Sequence, residues 1–299
     1  MDLPGVIVPI FGLIFCGWLL KAIGLFPPWL LKIVNDYVYY IGITVITFLS
    51  LYDISRQHPD LLLDPGVYLV TLIPIAAVAL IAYAVARLLK LDRAAIPVFI
   101  TCAFFGNTGY IGFPVNIAAQ GRESLALTAF ISTIYTVVVF TFGAYLCQHY
   151  AGKDEKAFRL HRIPVFWAAA AGILLSMFAL PEFARALLVL VEDSTSPLAL
   201  VATGAMISVA GIKASLKPIG AVSAIKLLVL PAAVVLAGLA MGISGAVYRT
   251  SVLEAATPVG VTNTVLAREF GLDEKLASGA VVISTGLFFV TLPLALLLI

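Results

Sequence analysis

Phe105-Gly106-Asn107-Thr108-Gly109-Tyr110-Ile111-Gly112-Phe113-Pro114 lies in the middle of an apolar segment that runs from about Ala94 to Ala119. Three glycines, a proline and an Asn-Thr pair stand where a membrane helix of that length should be most regular. Glycine costs about 1 kcal/mol and proline about 3 kcal/mol in a helix interior. The run therefore predicts an interrupted helix whose freed N–H and C=O groups need partners. In a bilayer such backbone is tolerated only inside protein or beside a watery cavity. Thr257-Pro258-Val259-Gly260-Val261-Thr262-Asn263-Thr264, roughly half a chain later, has the same character. Gly/Pro-interrupted segments in matching positions of two halves point to the binding site of a carrier.

The composition around this pair is that of an integral membrane protein. Of 299 residues 62% are hydrophobic and 11% charged, where a soluble domain carries about 25% charge. The apolar residues come in runs of about 20, the length of a bilayer-spanning helix, and not in the alternating segments of an outer-membrane barrel. The net charge of +2 is uninformative about partners, and no basic patch suggests nucleic acid. Cys16, Cys102 and Cys147 fall in apolar runs without metal-ligand spacing, so buried free thiols are expected, with no metal site and no disulfide framework. The first apolar run lacks the flanks of a cleaved secretory signal and is taken as a mature span.

Ten spans are expected: Pro4–Leu25, Val34–Ile54, Gly66–Leu89, Ala94–Ala119, Ser124–Tyr150, Arg162–Leu180, Ser196–Ile212, Pro218–Ile243, Tyr248–Phe270 and Glu274–Ile299. Phe183–Asp193 reads as a short interfacial helix. The polar run Gln148–Arg162 marks the midpoint, a linker between a first five-helix repeat, residues 1–150, and a second, residues 151–299. With the N-terminus outside, thirteen of the eighteen lysines and arginines fall on the cytoplasmic side. Arg56, Arg122, Arg185 and Arg249 fall outside, and Lys226 sits within a span. That asymmetry predicts N-out and C-out.

The two halves also match in sequence. Pro9-Ile-Phe11 recurs as Pro164-Val-Phe166, and Gly17-Trp-Leu-Leu20 recurs as Gly172-Ile-Leu-Leu175, both at an offset of 155. Ile131-Ser132-Thr133 corresponds to Ile283-Ser284-Thr285. Five spans per half make the second half enter the membrane with opposite sense. The expected fold is all-α: ten transmembrane helices as two inverted five-helix repeats, with broken helices 4 and 9 crossing near the midplane.

These residues resemble the auxin efflux carrier (AEC) family of secondary transporters, compact prokaryotic type. The words that carry the likeness are Gly106-Asn107-Thr108-Gly109-Tyr110-Ile111-Gly112-Phe113-Pro114, Ser196-Pro197-Leu198-Ala199-Leu200 with Gly204, and Glu254-Ala255-Ala256-Thr257-Pro258. Val265-Leu266-Ala267, Ser284-Thr285 and Leu292-Pro293 complete the set, over essentially the whole chain. The resemblance implies a bile acid symporter/NhaA-like fold. It also implies a scaffold domain from helices 1, 2, 6 and 7 and a transport domain from helices 3–5 and 8–10 that moves against it. Plant members of the family imply, by analogy, a homodimer through scaffold helices. Two departures stand out: the central linker is far shorter than that of the plant exporters, and Gly260 follows the proline where the family implies alanine.

Two half-helix N-termini at such a crossover each act as about half a positive charge and suit a carboxylate without a midplane Arg or Lys. The opposing carbonyls suit a cation. The expected substrate contacts are Asn107, Thr108, Gly109, Pro114, Asn116, Pro258, Thr262 and Asn263. The plainer alternative is that these polar groups only repair the broken helices. Asp53 and Glu254 are the candidates for coupling to Na+ or H+; Asp36 and Asp193 read as helix caps, and Lys226 as a snorkelling side chain. No cofactor and no metal are expected. Gly238 and Gly242 belong to a small-residue packing face.

The function expected is transport of a small organic anion, auxin-like or malonate-like, across the cell membrane by alternating access of the elevator type. The alternative is a sodium-coupled organic anion symporter resembling the bile acid carriers. An intramembrane enzyme would need a catalytic set, and no His-Glu-x-x-His, Gly-x-Ser-x-Gly or Asp-rich run is present.

Overall fold

The computed structural model describes residues 3–152, 164–207 and 216–299. Most of the expected central linker, Lys153 to Arg162, lies outside these residues, as does Lys213. Among the described residues the chain is helical, and the one extended pairing is an isolated bridge.

Prolines open many of the helices, because the first-turn N–H they lack has no intrahelical partner. Helix α1 is Leu3–Ala22; α2 is Pro28–Asp36, running through a π-type turn (Tyr37–Gly42) into α3, Ile43–Gln57. A short α4 (Pro59–Leu63) leads to α5, Pro65–Leu88. The next span is divided: α6, Ala95–Phe104, and α7, Phe113–Gln120, flank a non-helical break and a π-type turn at Thr108–Gly112. Helix α8 (Leu125–Val138) passes through Val139–Gly143 into α9, Ala144–Ala151. Then come α10, Pro164–Leu175, and α11, Glu182–Met206. Helix α12 (Leu216–Ala224) passes through a π-type turn at Ile225–Val229 into α13, Leu230–Ala240. The second divided span is α14, Gly245–Ala256, and α15, Thr262–Phe270; α16 is Glu274–Leu296, capped by Asp273, whose side chain accepts from the Leu276 N–H at 2.9 Å.

Seven stretches among the described residues are long and apolar enough to cross a membrane, from 19 to 30 residues each, against the roughly 20 that a bilayer requires. The three remaining expected spans are the two divided ones and the sixth, whose described helix is Pro164–Leu175.

Several boundaries differ from the sequence reading. The seventh span begins at Glu182, not Ser196, and Phe183–Asp193 is part of this one continuous helix. Its apolar face continues through Leu187 and Val191, and Pro197 is carried inside the helix. Asp193 is therefore not a cap; its carboxylate pairs with Arg122. Asp36 makes no cap bond either, and pairs with Lys32 one turn earlier at 2.6 Å. All three cysteines are free thiols, but Cys16 is exposed on α1 while Cys102 and Cys147 are buried.

The chain forms two compact units. Unit one comprises Met1–Pro65, Gly109–Thr133 and His161–Ile207; unit two comprises Gly66–Thr108, Ile134–Leu160 and Ser208–Ile299. In unit one α1 packs on α11, and α3 packs on α10. The contact of α1 with α11 is backbone on backbone. A Cβ on Gly204 would stand 1.8 Å from the Ile14 carbonyl oxygen, and a Cβ on Gly17 1.9 Å from that of Val201. Small residues let membrane helices approach this closely. In unit two α16 packs on α6, α12, α14 and α15, and this packing holds the two breaks in place.

Candidate functional site

Helix α6 ends when Phe105 turns extended (φ −95°, ψ 112°), and α14 ends when Thr257 does the same (φ −59°, ψ 148°). Each half-helix leaves backbone groups without intrahelical partners. The two breaks, both in unit two, answer each other. Gly106 and Val259 form an antiparallel bridge. The Asn107 N–H donates to the Pro258 carbonyl at 2.7 Å, and the Gly260 N–H to the Phe105 carbonyl at 3.0 Å. Side chains complete the repair. Asn263 Nδ2 donates to the Phe105 carbonyl at 3.2 Å and to the Gly260 carbonyl at 3.0 Å. The Val259 N–H donates to Ser284 Oγ at 3.0 Å, and Thr257 Oγ1 to the Glu254 carbonyl at 2.7 Å.

This pairing leaves no room for side chains at its centre. A Cβ on Gly260 would lie 2.6 Å from the Gly106 carbonyl oxygen, which accounts for glycine in place of the alanine that the family resemblance implies. A Cβ on Gly106 would lie 2.2 Å from Thr257 Oγ1 and 2.9 Å from Lys226 Nζ.

Lys226 does not snorkel. It is fully buried, and its Nζ donates to the carbonyls of Ala255 and Thr257, each at 2.6 Å. Burying a charge costs several kcal/mol unless it is paired and hydrogen-bonded. The C-terminal end of α14 supplies both conditions, since its last carbonyls lack intrahelical donors and carry the negative end of the helix dipole. Glu254, on the last turn of the same helix, is also fully buried. The π-type turn at Ile225–Val229 holds the lysine, and Pro231, without an N–H, follows it.

The expected contact residues divide between the units. Asn107 (6% exposed), Thr108 (3%), Pro258, Thr262 and Asn263 (1%) belong to unit two, where Asn107, Pro258 and Asn263 meet at the paired break. Thr262 is half-buried at the first turn of α15. Gly109, Pro114 and Asn116 belong to unit one. There Asn116 Nδ2 donates to the Gly112 carbonyl at 3.0 Å and Oδ1 accepts from Gln120 Nε2 at 2.8 Å, a local repair of the broken segment. Asn263 Oδ1 is buried with no hydrogen-bond partner among the described residues.

Of the two coupling candidates, Glu254 lies in the buried polar cluster of unit two. Asp53 lies in unit one, where Arg185 grips both its oxygens at 2.9 and 2.7 Å. Arg122 reaches from α8's leading turn to Glu192, at 2.6 Å, and to Asp193. Asp53, Arg122, Arg185 and Glu192 line a cavity of about 460 Å³ together with Ser50 and His58. Among the described residues no cluster of His, Cys, Asp and Glu could hold a metal ion. Lys226 and Ser284 are the participants that the sequence reading did not place at the break. The signal for Lys226 was present, because an ionisable residue inside an apolar span is a functional candidate by default.

The membrane transport protein family model matches residues 5–162 and again residues 157–296. An uncharacterized transporter of Methanothermobacter thermautotrophicus is 28% identical over 293 residues, covering 96% of this chain and 95% of its own. An uncharacterized transporter of Methanocaldococcus jannaschii is 24% identical, with 94% and 93% covered. A Rhizobium meliloti protein, provisionally named a malonate transporter, is 24% identical over the full length of this chain and 96% of its own.

Proposed function

The chain belongs to the membrane transport protein family, the auxin efflux carriers, and is a multi-pass membrane protein; from that premise we propose that it carries a small organic anion, a carboxylate of the malonate or auxin kind, bound at the paired break. The observation that carries this reading is the antiparallel pairing of Phe105–Asn107 with Pro258–Gly260 inside a helical unit. Broken helices at such a place put a helix N-terminus and open backbone within reach of a substrate. Helix α15 starts at Thr262, directly after the break, so its positive end serves the carboxylate. The name of the Rhizobium meliloti relative supports the choice of substrate class.

The finer architecture in this proposal is ten spans in two inverted repeats, N-out and C-out. Two repeat-equivalent contacts support it. Span one (α1) packs on span seven (α11), and span six (α10) packs on span two (α3). Gly17 and its repeat counterpart Gly172 each sit at such a contact, the latter with its Cβ position 2.6 Å from the Phe48 carbonyl oxygen. Alternating access then moves spans three to five and eight to ten against a scaffold of spans one, two, six and seven.

The test is thermal melting of the purified protein against malonate, succinate and indole-3-acetate, followed by uptake into proteoliposomes. A ligand at 100 times its Kd stabilises by about 2.7 kcal/mol, which raises Tm by roughly 5–10 °C. That rise is expected for a carboxylate and should vanish in Asn107→Ala and Thr262→Val. Transport of an uncharged or cationic solute, with no response to any carboxylate, would refute the substrate class.

A further inference from the structure

We propose that the ammonium of Lys226 is a tethered cation that occupies the cation position of the paired break, so that the break needs no bound sodium. The acceptors that would hold a coupling cation in a broken-helix carrier are half-helix C-terminal carbonyls. In this protein the two such carbonyls at the end of α14, Ala255 and Thr257, are each taken by Nζ at 2.6 Å. The ammonium also lies against the other break, since Nζ and Cε stand 2.9 and 3.0 Å from the Cβ position of Gly106. One charged group thereby spans both interrupted segments, and the side chain that delivers it is fully buried. The carboxyl of Glu254, on the last turn of the same half-helix, is buried as well.

A lysine can serve here because its ammonium is a compact monovalent charge with three donors, able to satisfy carbonyl oxygens that a bound cation would otherwise meet. A sodium ion at this place would meet the positive charge of Nζ and would find both carbonyls engaged. Removing the side chain beyond Cβ should therefore do more than destabilise: it should open a position that accepts a cation from solution.

The experiment is thermal melting of the full chain in sodium, potassium or choline chloride at equal ionic strength, with no organic anion present. The wild type should melt at the same temperature in all three salts. Lys226→Ala should melt about 6 °C lower or more in choline, the scale of a broken buried charge contact. It should regain at least half of that loss in sodium chloride or n-propylammonium chloride, and none in n-propanol. Lys226→Met, which fills the volume without a charge, should be rescued by neither cation. A sodium-specific rise in the wild-type Tm overturns the proposal, and that arm decides even if the variants do not fold. Rescue of Lys226→Ala by n-propanol as fully as by n-propylammonium also overturns it, because the side chain would then act by volume alone. The inference draws its consequence for coupling from the transport site proposed above. Its readout uses no carboxylate, so a failure of the substrate class leaves this result standing, and the reverse.

Discussion

Gly204→Ala is expected to lower the melting temperature by roughly 6 °C or more, or to abolish recovery of folded protein. The added methyl group would sit 1.8 Å from the Ile14 carbonyl oxygen, 2.7 Å from its carbon and 3.0 Å from the Trp18 nitrogen. All three are backbone atoms, so no rotamer change relieves the overlap. Helices α1 and α11 would have to separate by more than an ångström along their shared contact. Overpacking of this kind costs about 1–3 kcal/mol where side chains can yield and more where they cannot. Gly17→Ala should behave alike, because its Cβ would meet Val201 in the same way one turn along. Gly12→Ala is the control: it lies on α1 with nothing within 4 Å of its Cβ position, and alanine is the better helix former by about 1 kcal/mol. Melting followed by size-exclusion fluorescence should thus separate Gly204 from Gly12 on opposite sides of the wild type. Equal melting of Gly204→Ala and wild type would mean that α1 and α11 do not meet at this contact.

Gly106→Ala is expected to abolish transport and to lower Tm by roughly 6 °C or more. Here the new methyl group meets Thr257 Oγ1 at 2.2 Å and Lys226 Nζ at 2.9 Å. The threonine is buried and held by its bond to the Glu254 carbonyl, so the methyl group forces both this hydroxyl and the ammonium from their places. Displacing the ammonium strips the Ala255 and Thr257 carbonyls of their donor and leaves a buried charge short of partners, a loss of about 3–5 kcal/mol. The two substitutions differ in what they report. Gly204→Ala weakens a helix pair in unit one, whereas Gly106→Ala acts at the break in unit two. Substrate-induced stabilisation should survive in any Gly204 variant that folds and be lost in Gly106→Ala. Retained uptake by Gly106→Ala at wild-type rates would show that the ammonium can move without consequence.

Much of this was legible in the chain itself. The two interruptions could be placed because glycine and proline are the residues least compatible with a helix interior, and both motifs set them in the middle of a long apolar run. The breaks fall within those motifs, at Phe105–Asn107 and Thr257–Val261. The pairing of the breaks by backbone was not readable, because it depends on carbonyl and N–H groups that nearly every residue carries. Asn263 could be singled out as a polar residue at a break, but not that its amide bridges Phe105 and Gly260. Lys226 was misread for a related reason. Its distance from the expected membrane edge favoured snorkelling, and only the fold places the open end of α14 beside it. The seventh span was cut short because Glu192, Asp193 and Ser194 look like the polar start of a helix. In the structure Arg122 answers both acids from α8's leading turn, and a helix can carry such charges midway when a partner reaches them.

The cysteines decide how movement in this protein can be followed. Cys102 and Cys147 are enclosed by their own unit, and Cys16 sits on the outward face of a membrane-spanning helix. A thiol reacts as its thiolate, a form that hydrocarbon surroundings suppress as effectively as burial does. Water-borne maleimides and methanethiosulfonates should therefore find the native chain mute. A cysteine placed at Thr262, or elsewhere along the first turn of α15, would speak against a silent background with no native thiol removed beforehand. Its labelling from each side of the membrane, with and without a carboxylate, would time the opening of the site to each compartment.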